Sequence, residues 1–132
     1  MDRIFLDANV LFSAAYREDS GLKRLWELSN VEMITSHYAL EEARRNLQTE
    51  DRLARLNRLI GAVEVISEPR EQGLPPGVEL AEKDRPILAA ALAAGASHLI
   101  TGDRRDFGRY FGKYIGKTVI MRPRDYLTSR GL

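Results

Sequence analysis

Short apolar runs and amphipathic segments alternate along the whole chain. Runs of four or five mostly apolar residues are typical of buried strands rather than of helices. Because segments with helical spacing separate most of these runs, the pattern predicts a three-layer α/β/α sandwich with a central parallel sheet of about five strands. The predicted strands lie at residues 3–6, 31–35, 63–66, 97–101 and 117–121.

The segments between these runs show the three- and four-residue spacing of amphipathic helices. Ser36 is suitable as an N-cap, because its hydroxyl can accept a hydrogen bond from a free backbone N–H of the first turn. Gly95 is suitable as a C-terminal cap, and residues 10–16 fit either a helix or a loop. Helices are predicted over residues 21–29, through Leu40, Ala43 and Leu47, over residues 51–60, over residues 87–94, and near Tyr126.

Residues 67–78 interrupt this alternation. Their prolines and glycines favour a loop, since proline lacks an N–H donor and glycine permits unusual backbone angles. Neither half of the chain has enough apolar residues to form a core alone. We therefore expect one domain spanning residues 1–132, with this loop as a bend within it.

The amino-acid composition excludes several kinds of metal site and catalysis. The chain has no cysteine, which excludes disulfides, zinc–thiolate sites and thiol catalysis. Its only histidines are His37 and His98, which is little material for histidine-based catalysis. The absence of cysteine fits a reducing cytosol, and the first apolar run is too short for a signal peptide or a membrane span. We therefore expect a cytoplasmic protein that does not contact a membrane.

Four acidic residues are placed where the ends of the predicted strands would gather them. Asp7 and Asp103 directly follow apolar strands, and Glu42 and Asp84 lie on or beside helices that pack next to the sheet. In parallel α/β sheets, ligand sites form at the carboxyl ends of the strands. Converging carboxylates repel each other unless a cation binds them, and hard divalent cations prefer oxygen ligands. The arrangement suggests a metal-dependent nuclease.

Taken singly, each acid also has a structural interpretation. Asp7 and Asp84 are suitable N-caps, and Asp103 is suitable in a turn. Glu42 would be an exposed helical carboxylate, although it lies nearer than Glu41 to the edge of its helix's apolar stripe. Asp106 is a candidate fifth acid or, preferably, a capping residue.

Basic residues are concentrated toward the end of the chain, although the net charge is only +1. A basic surface beside an acidic metal site would suit a polyanion held by its phosphates. A solvated helix surface is the equally weighted alternative for this region, and it is preferred for the arginines of residues 44–58, where acidic residues are interleaved. The candidate RNA contacts are Arg104, Arg105, Arg109 and Lys113.

Order and spacing taken together resemble the PIN domain family over essentially the whole chain. The sharpest motifs are Leu-Asp-Ala-Asn-Val-Leu around Asp7 and Leu-Ile-Thr-Gly-Asp-Arg-Arg-Asp-Phe around Asp103. The segment around Glu42 and the alanine-rich helix after Asp84 match more loosely, and the end of the chain resembles stand-alone prokaryotic members. Ala8 is a departure, since many members have Thr or Ser there.

This resemblance implies a Mg²⁺- or Mn²⁺-dependent endoribonuclease. Carried over by motif position, the catalytic and metal-binding residues would be Asp7, Glu42, Asp84 and Asp103. Thr101 and Asn9 match polar positions that support the acids. Many bacterial and archaeal members resemble the VapC toxins of toxin–antitoxin pairs, which implies an RNA substrate and an antitoxin protein as partners.

Two other functions are weighed against this one. A phosphatase of the haloacid-dehalogenase type also begins with an apolar strand that ends in Asp, but it needs a second Asp where this chain has Asn9. The other is a catalytically silent nucleic-acid-binding or scaffold domain of the same fold. Presence of all four acids argues against that alternative.

Self-association is also expected. Leu22, Leu25 and Trp26 give one short helix an apolar face, and the helix over residues 51–60 carries a second. One small sheet would not readily cover both faces, so the sequence favours a two-fold homodimer. The alternative is that both faces fold onto the core of one monomer.

Overall fold

The computed structural model describes residues 1–70 and 73–132 and contains a mixed sheet with helices on both faces. Three short 3₁₀ segments, Gly21–Glu27, Glu82–Asp84 and Gly108–Tyr110, connect some of these elements. The strands are β1 (Asp2–Leu6), β2 (Val31–Ser36), β3 (Glu64–Ile66), β4 (His98–Ile100), β5 (Tyr114–Ile115) and β6 (Thr118–Met121). The helices are α1 (Ala8–Tyr16), α2 (His37–Leu47), α3 (Glu50–Ile60), α4 (Arg85–Ala93), α5 (Arg104–Phe107) and α6 (Pro123–Ser129).

The strand order is β3-β2-β1-β4-β6-β5, and all neighbouring pairs except the last are parallel. The predicted parallel sheet of about five strands is therefore confirmed. A sixth strand, β5, pairs antiparallel with β6 at the edge. The sequence analysis missed β5 because two residues are too few to show a periodic pattern.

The sheet separates two apolar clusters, as a three-layer sandwich requires. Alternation along β1 shows this directly, because Ile4 and Leu6 belong to one cluster and Phe5 to the other. The first cluster also takes residues from α1, α2, α3 and α6, and the second takes most of its helical residues from α4 together with Phe107 of α5.

Local capping follows the sequence in most places. Ser36 Oγ accepts a hydrogen bond from the backbone N–H of Ala39 at 3.2 Å, so the predicted N-cap of α2 is confirmed. Gly95 has a φ of +67°, the left-handed conformation that suits a glycine just after a helix. Residues 10–16, which fitted either a helix or a loop, lie in α1.

One predicted segment has a different secondary structure, and another lies partly outside the described residues. The prediction of a helix over residues 21–29 is wrong in type, because the segment is 3₁₀ and ends at Glu27. The predicted loop over residues 67–78 includes residues 71–72, which lie outside the described residues. On either side of them, residues 67–70 and 73–81 contain neither helix nor strand.

Apolar side chains on the segment Gly21–Glu27 and on α3 pack against the first cluster of the same chain. Leu22, Trp26, Leu53 and Leu59 are all partly buried there. Trp26 Nε1 also donates a hydrogen bond to the backbone oxygen of Leu59 at 2.9 Å. Much of the surface that suggested a homodimer is therefore covered within one chain. Among the described residues, no helix has the length and apolar character needed to cross a membrane.

Candidate active site

The candidate site lies where the strand order reverses direction. The chain builds β1, β2 and β3 outward in one direction and then returns to place β4 on the other side of β1. Leu6 of β1 is in register with Ile100 of β4, so Asp7 and Thr101 are the next residues beyond this paired edge. A switch point of this kind leaves a crevice at the carboxyl ends of the strands, where α/β proteins bind ligands.

Asp7 is held by a network of hydrogen bonds at this edge. Its Oδ2 accepts hydrogen bonds from Thr101 Oγ1 at 2.8 Å and from Asn9 Nδ2 at 3.1 Å. Its Oδ1 accepts one from the backbone N–H of Ala8 at 2.7 Å, so Asp7 also caps α1. Asn9 Oδ1 in turn accepts from the backbone N–H of Gly102 at 2.8 Å. The network ties the start of α1 to the loop that follows β4.

Burial dominates the electrostatics of Asp7. Only 3% of its surface is exposed, and desolvation raises the pKa of its carboxyl from 3.8 to about 6. The hydrogen bonds from Thr101 and Ala8 oppose this shift, whereas the charges of Glu42 and Asp103 add to it. The protein therefore places Asp7 where a negative charge is costly unless a cation compensates it.

A second group of carboxylates lies beside Asp7. One oxygen from each of Asp84, Asp103 and Asp106 can be chosen so that all lie within 4.8 Å of one another. Asp103 Oδ1 accepts from the backbone N–H of Asp106 at 3.1 Å and so caps α5. The preferred interpretation of Asp106 as a capping residue is therefore wrong, since Asp103 has that role and Asp106 joins the acidic group. Asp106 is in the first turn of α5, which brings its carboxylate back toward Asp103.

Asp84 is the most constrained member of this group. It is 6% exposed, and burial followed by the neighbouring Asp106 carboxyl raises its pKa to about 7. Its Oδ2 receives no hydrogen bond from the described residues. Asp84 precedes α4 but makes no side-chain capping hydrogen bond, so its alternative interpretation as an N-cap is not supported by the geometry. Buried carboxylate oxygens are usually hydrogen-bonded, so this one is suited to accept a further partner such as a water or a cation.

Glu42 lies on α2 and forms part of the same cleft wall as Asp7. Glu42 is half-buried, whereas Glu41 is exposed and forms an ion pair with Arg44 at 3.0 Å. The helix register inferred from Leu40, Ala43 and Leu47 is therefore confirmed, since all three are buried.

Lys83 is the cation closest to the acidic group. Its Nζ lies 3.2 Å from Asp106 Oδ2 and 3.8 Å from Asp84 Oδ2. The contact with Asp106 raises the pKa of Lys83, which keeps the ammonium charged. Lys83 thus compensates part of the negative charge of the cleft. The sequence analysis missed it because a lysine next to two acids, Glu82 and Asp84, looks like ordinary surface charge.

The cleft as a whole has a volume of about 350 Å³. It brings together Asp7, Glu42, Asp84 and Asp103, the four acids singled out in the sequence. Asp7 and Glu42 lie outside the tightest acidic group, which the described residues form from Asp84, Asp103 and Asp106. The remaining lining residues are Asn9, Ser13, Leu22, Lys83, Gly102 and Pro123.

The four basic residues proposed as RNA contacts are all exposed. Arg105 and Arg109 line a neighbouring cleft that they share with Asp106. Arg104 and Lys113 line neither cleft. Arg85 lines the neighbouring cleft too, although the sequence analysis did not single it out. The sequence carries no signal for it, because an arginine in the Asp-Arg-Pro start of a helix looks like ordinary surface charge.

Several solved structures share this fold at low sequence identity. VapBC2 from Rickettsia felis, bound to a DNA fragment from its promoter, has a TM-score of 0.66 and 19% identity, with 91% of this chain and 98% of that chain covered. VapC20 from Mycobacterium tuberculosis, a toxin that cleaves the sarcin–ricin loop, has a TM-score of 0.56 and 20% identity, with 76% and 91% covered. VapBC-1 from nontypeable Haemophilus influenzae has a TM-score of 0.56 and 20% identity, with 92% and 98% covered.

At the level of sequence, no protein of curated function matches significantly. The family model of the PIN domain, in contrast, matches residues 3–105. The matched residues include nearly all of β1, the whole of β2, β3 and β4, and all four acids described above. The chain belongs to the PIN domain family.

Proposed function

We propose that this protein is an endoribonuclease that depends on Mg²⁺ or Mn²⁺ and hydrolyses RNA phosphodiester bonds. The observation that carries the proposal is the convergence of Asp7, Glu42, Asp84 and Asp103 in one cleft at the switch point of the sheet. Membership of the PIN domain family supports a nuclease. The requirement for metal and the preference for RNA are parts of the proposal.

The chemistry of the residues fits a divalent cation. All the converging donors are carboxylate oxygens, which are the ligands that Mg²⁺ and Mn²⁺ prefer. Asp84 Oδ2 is buried and receives no hydrogen bond from the described residues, and burial raises the pKa of Asp7. A cation would relieve both costs at once. The residues that would hold it are Asp7, Asp84 and Asp103, with Glu42 completing the ring.

A divalent cation in such a site lowers the pKa of ligated water and compensates charge on the phosphodiester. The residues of this chain supply the geometry. Thr101 and Asn9 hold the Asp7 carboxylate by two hydrogen bonds to Oδ2. Glu42, which lines the same cleft from α2, would accept the proton of the attacking water. If water attacks phosphorus and the bond to the 3′ oxygen breaks, the products carry a 5′ phosphate and a 3′ hydroxyl.

We further propose that the protein is the toxin of a toxin–antitoxin pair and acts in the cytoplasm. The structural neighbours support this, because two of them are VapBC complexes and the third is a VapC toxin. The partner would be an antitoxin protein that blocks the cleft. A homodimer also stays a prediction. Light scattering should give a mass near twice the 14.9 kDa of the chain, and a mass near that of one chain would contradict it.

The alternative is a catalytically silent PIN-fold domain that binds nucleic acid or serves as a scaffold. A single incubation of purified protein with end-labelled RNA separates the two. The proposal expects cleavage with Mn²⁺, none with EDTA, and restoration when Mn²⁺ is added in excess. Products should be ligatable at their 5′ phosphate. RNA that is bound but intact in every condition would favour the silent domain.

A further inference from the structure

A second cleft, which we term the arginine groove, lies next to the acidic cleft. It is a polar groove with a volume of about 480 Å³. Its side chains include Glu79, Arg85, Arg105, Asp106 and Arg109, and residues 78–81 form one wall. Three guanidinium groups around one groove are costly to bring together unless acids or a bound anion compensate them.

The two acidic side chains of the groove, Glu79 and Asp106, already form ion pairs. Arg109 Nη1 lies 2.5 Å from Glu79 Oε2, so these two side chains compensate each other. Asp106 is paired with Lys83 from the side of the acidic cleft at 3.2 Å. Among residues 1–70 and 73–132, neither Arg85 nor Arg105 forms an ion pair or a side-chain hydrogen bond. Within the part of the chain that the structure describes, the groove therefore presents two guanidinium groups with no anionic partner.

The groove is continuous with the acidic cleft through Asp106. That residue lines the groove and also belongs to the carboxylate group with Asp84 and Asp103. Arg85 directly follows Asp84 in the chain, and Arg105 lies two residues after Asp103. Both arginines are consequently fixed relative to the acids by α4 and α5. A nucleic-acid strand with one phosphate at the acids would place a neighbouring phosphate in this groove.

We propose that the arginine groove binds the backbone phosphate of an RNA nucleotide adjacent to the scissile bond, through Arg85 and Arg105. The planar guanidinium fork matches two phosphate oxygens, which a point charge does not. This inference rests on the proposed function and adds a subsite and a direction for the RNA strand, from the acids past Asp106 toward α4 and α5. Such a contact fixes the register of the strand without reading its sequence.

Fluorescence anisotropy with a labelled, short single-stranded oligouridylate tests the subsite, in EDTA so that no cleavage occurs. Affinity is measured over a range of salt for the wild type and for R85Q/R105Q. A double variant in which both arginines become lysine keeps the charge. R24Q/R58Q is the matched control, since both of these arginines are exposed and the change of net charge is the same.

We expect R85Q/R105Q to bind more weakly and to reduce the magnitude of the slope of log K against log salt by about 0.7, the value for one single-strand phosphate. The lysine variant should keep the slope, and R24Q/R58Q should match the wild type. A series of oligonucleotides can each carry one uncharged methylphosphonate linkage at a different position. At one of these positions, the wild type should lose affinity and R85Q/R105Q should not.

An unchanged slope in R85Q/R105Q, or an equal change in R24Q/R58Q, would overturn the subsite. Displacement of the oligonucleotide by millimolar inorganic phosphate at constant ionic strength would also overturn it, by identifying free phosphate as the ligand. The proposed function fails separately, if the wild type binds RNA and shows the groove effect but does not cleave with Mn²⁺. No binding by the wild type would overturn the subsite, and the cleavage assay with Mn²⁺ would still decide the proposed function.

Discussion

Thr101 Oγ1 donates a hydrogen bond of 2.8 Å to Asp7 Oδ2, which joins residues 94 positions apart in the sequence. The same Oγ1 accepts a hydrogen bond from the backbone N–H of Asp103 at 3.1 Å. One hydroxyl thus contacts two acids that follow neighbouring strands. The acidic cleft depends on the pairing of β1 with β4, because that pairing places the hydroxyl between the two acids.

Replacing Thr101 with Val should weaken cleavage without unfolding the protein. Val has nearly the same shape, but Asp7 loses a donor and the Asp103 N–H loses an acceptor. Loss of a residue that orients a metal ligand typically costs 10–100-fold in metal affinity or activity. We expect a fall of about that size in the rate of RNA cleavage, measured at fixed Mn²⁺.

Thr118→Val provides the matched control. Thr118 is also buried, and its hydroxyl donates to the backbone oxygen of Ala96 at 2.7 Å, away from the acids. The Thr118→Val variant should lose about as much thermal stability as Thr101→Val but keep its cleavage activity. Equal activity losses in the two variants would mean that Thr101 acts only through the stability of the sheet.

Glu42→Gln should reduce cleavage strongly, and Glu41→Gln should have little effect. Glu42 lines the cleft, whereas Glu41 is exposed and pairs only with Arg44. Exposed pairs of this kind contribute about 0.3–0.5 kcal/mol on a helix, so the second change is nearly neutral for stability. Rates of cleavage measured on the two proteins in parallel decide the matter, and the opposite ranking would show that Glu42 has no role in catalysis.

Lys83→Met should tighten Mn²⁺ binding while slowing cleavage. The ammonium group competes with a cation for Asp84 and Asp106, at 3.8 Å and 3.2 Å, so its removal favours the metal. We expect an increase in affinity of roughly tenfold or less, equivalent to at most about 1.4 kcal/mol. In the cleaving complex the same ammonium would compensate phosphate charge, so the rate at saturating Mn²⁺ should fall.

Calorimetric titration with Mn²⁺ gives the affinity in that experiment. Lys113→Met is its control, since Lys113 is exposed and lies outside both clefts. Weaker Mn²⁺ binding by Lys83→Met would contradict the competition.

In the metal-free protein, the contributions of Asp7 and Asp84 to stability should fall as the pH rises from about 4 to about 7. Folding raises the pKa of Asp7 from 3.8 to about 6 and that of Asp84 to about 7. A carboxyl whose pKa is higher in the folded state binds its proton more tightly there. Its contribution to stability is therefore complete below pH 4 and is lost as the pH passes through the folded pKa. For Asp7 the loss is on the order of 3 kcal/mol in the free energy of unfolding.

Denaturant unfolding in EDTA measures this effect as the difference between the wild type and Asp7→Asn. The variant cannot ionise at that position, so its advantage over the wild type should grow across the same pH range. Excess Mn²⁺ should stabilise the wild type at pH 7 by linkage and the variant much less. A difference that does not depend on pH would contradict the assigned shift.

The acids at strand ends were predictable because their positions follow from local pattern. Asp7 and Asp103 adjoin recognisable apolar strands, and the parallel topology then gathers them at one edge. The choice of Glu42 over Glu41 also followed from the apolar stripe of α2. In these cases, periodicity along a single element placed the acids, and the resemblance to the PIN domain family selected them together as site residues.

The contributions of Lys83, Arg85 and Asp106 were not predictable in this way. Each depends on how α4 and α5 approach the same edge of the sheet, which is a matter of packing between elements distant in sequence. The 3₁₀ form of Gly21–Glu27 was not predictable for a similar reason. Its apolar spacing also fits an α-helix, and hydrogen bonds such as that from Trp26 to Leu59 join residues distant in sequence.

The central claim is that the acids of this cleft catalyse hydrolysis of RNA with a divalent metal. The most direct measurement is cleavage of end-labelled RNA with Mn²⁺ by the wild type, Asp7→Asn and Asp103→Asn, purified side by side and checked for equal folding by circular dichroism. Asn is nearly isosteric with Asp but uncharged, so cation binding should fail while packing survives. The account predicts cleavage by the wild type and none by either variant. Equal cleavage by all three proteins, or none by the wild type, would contradict it.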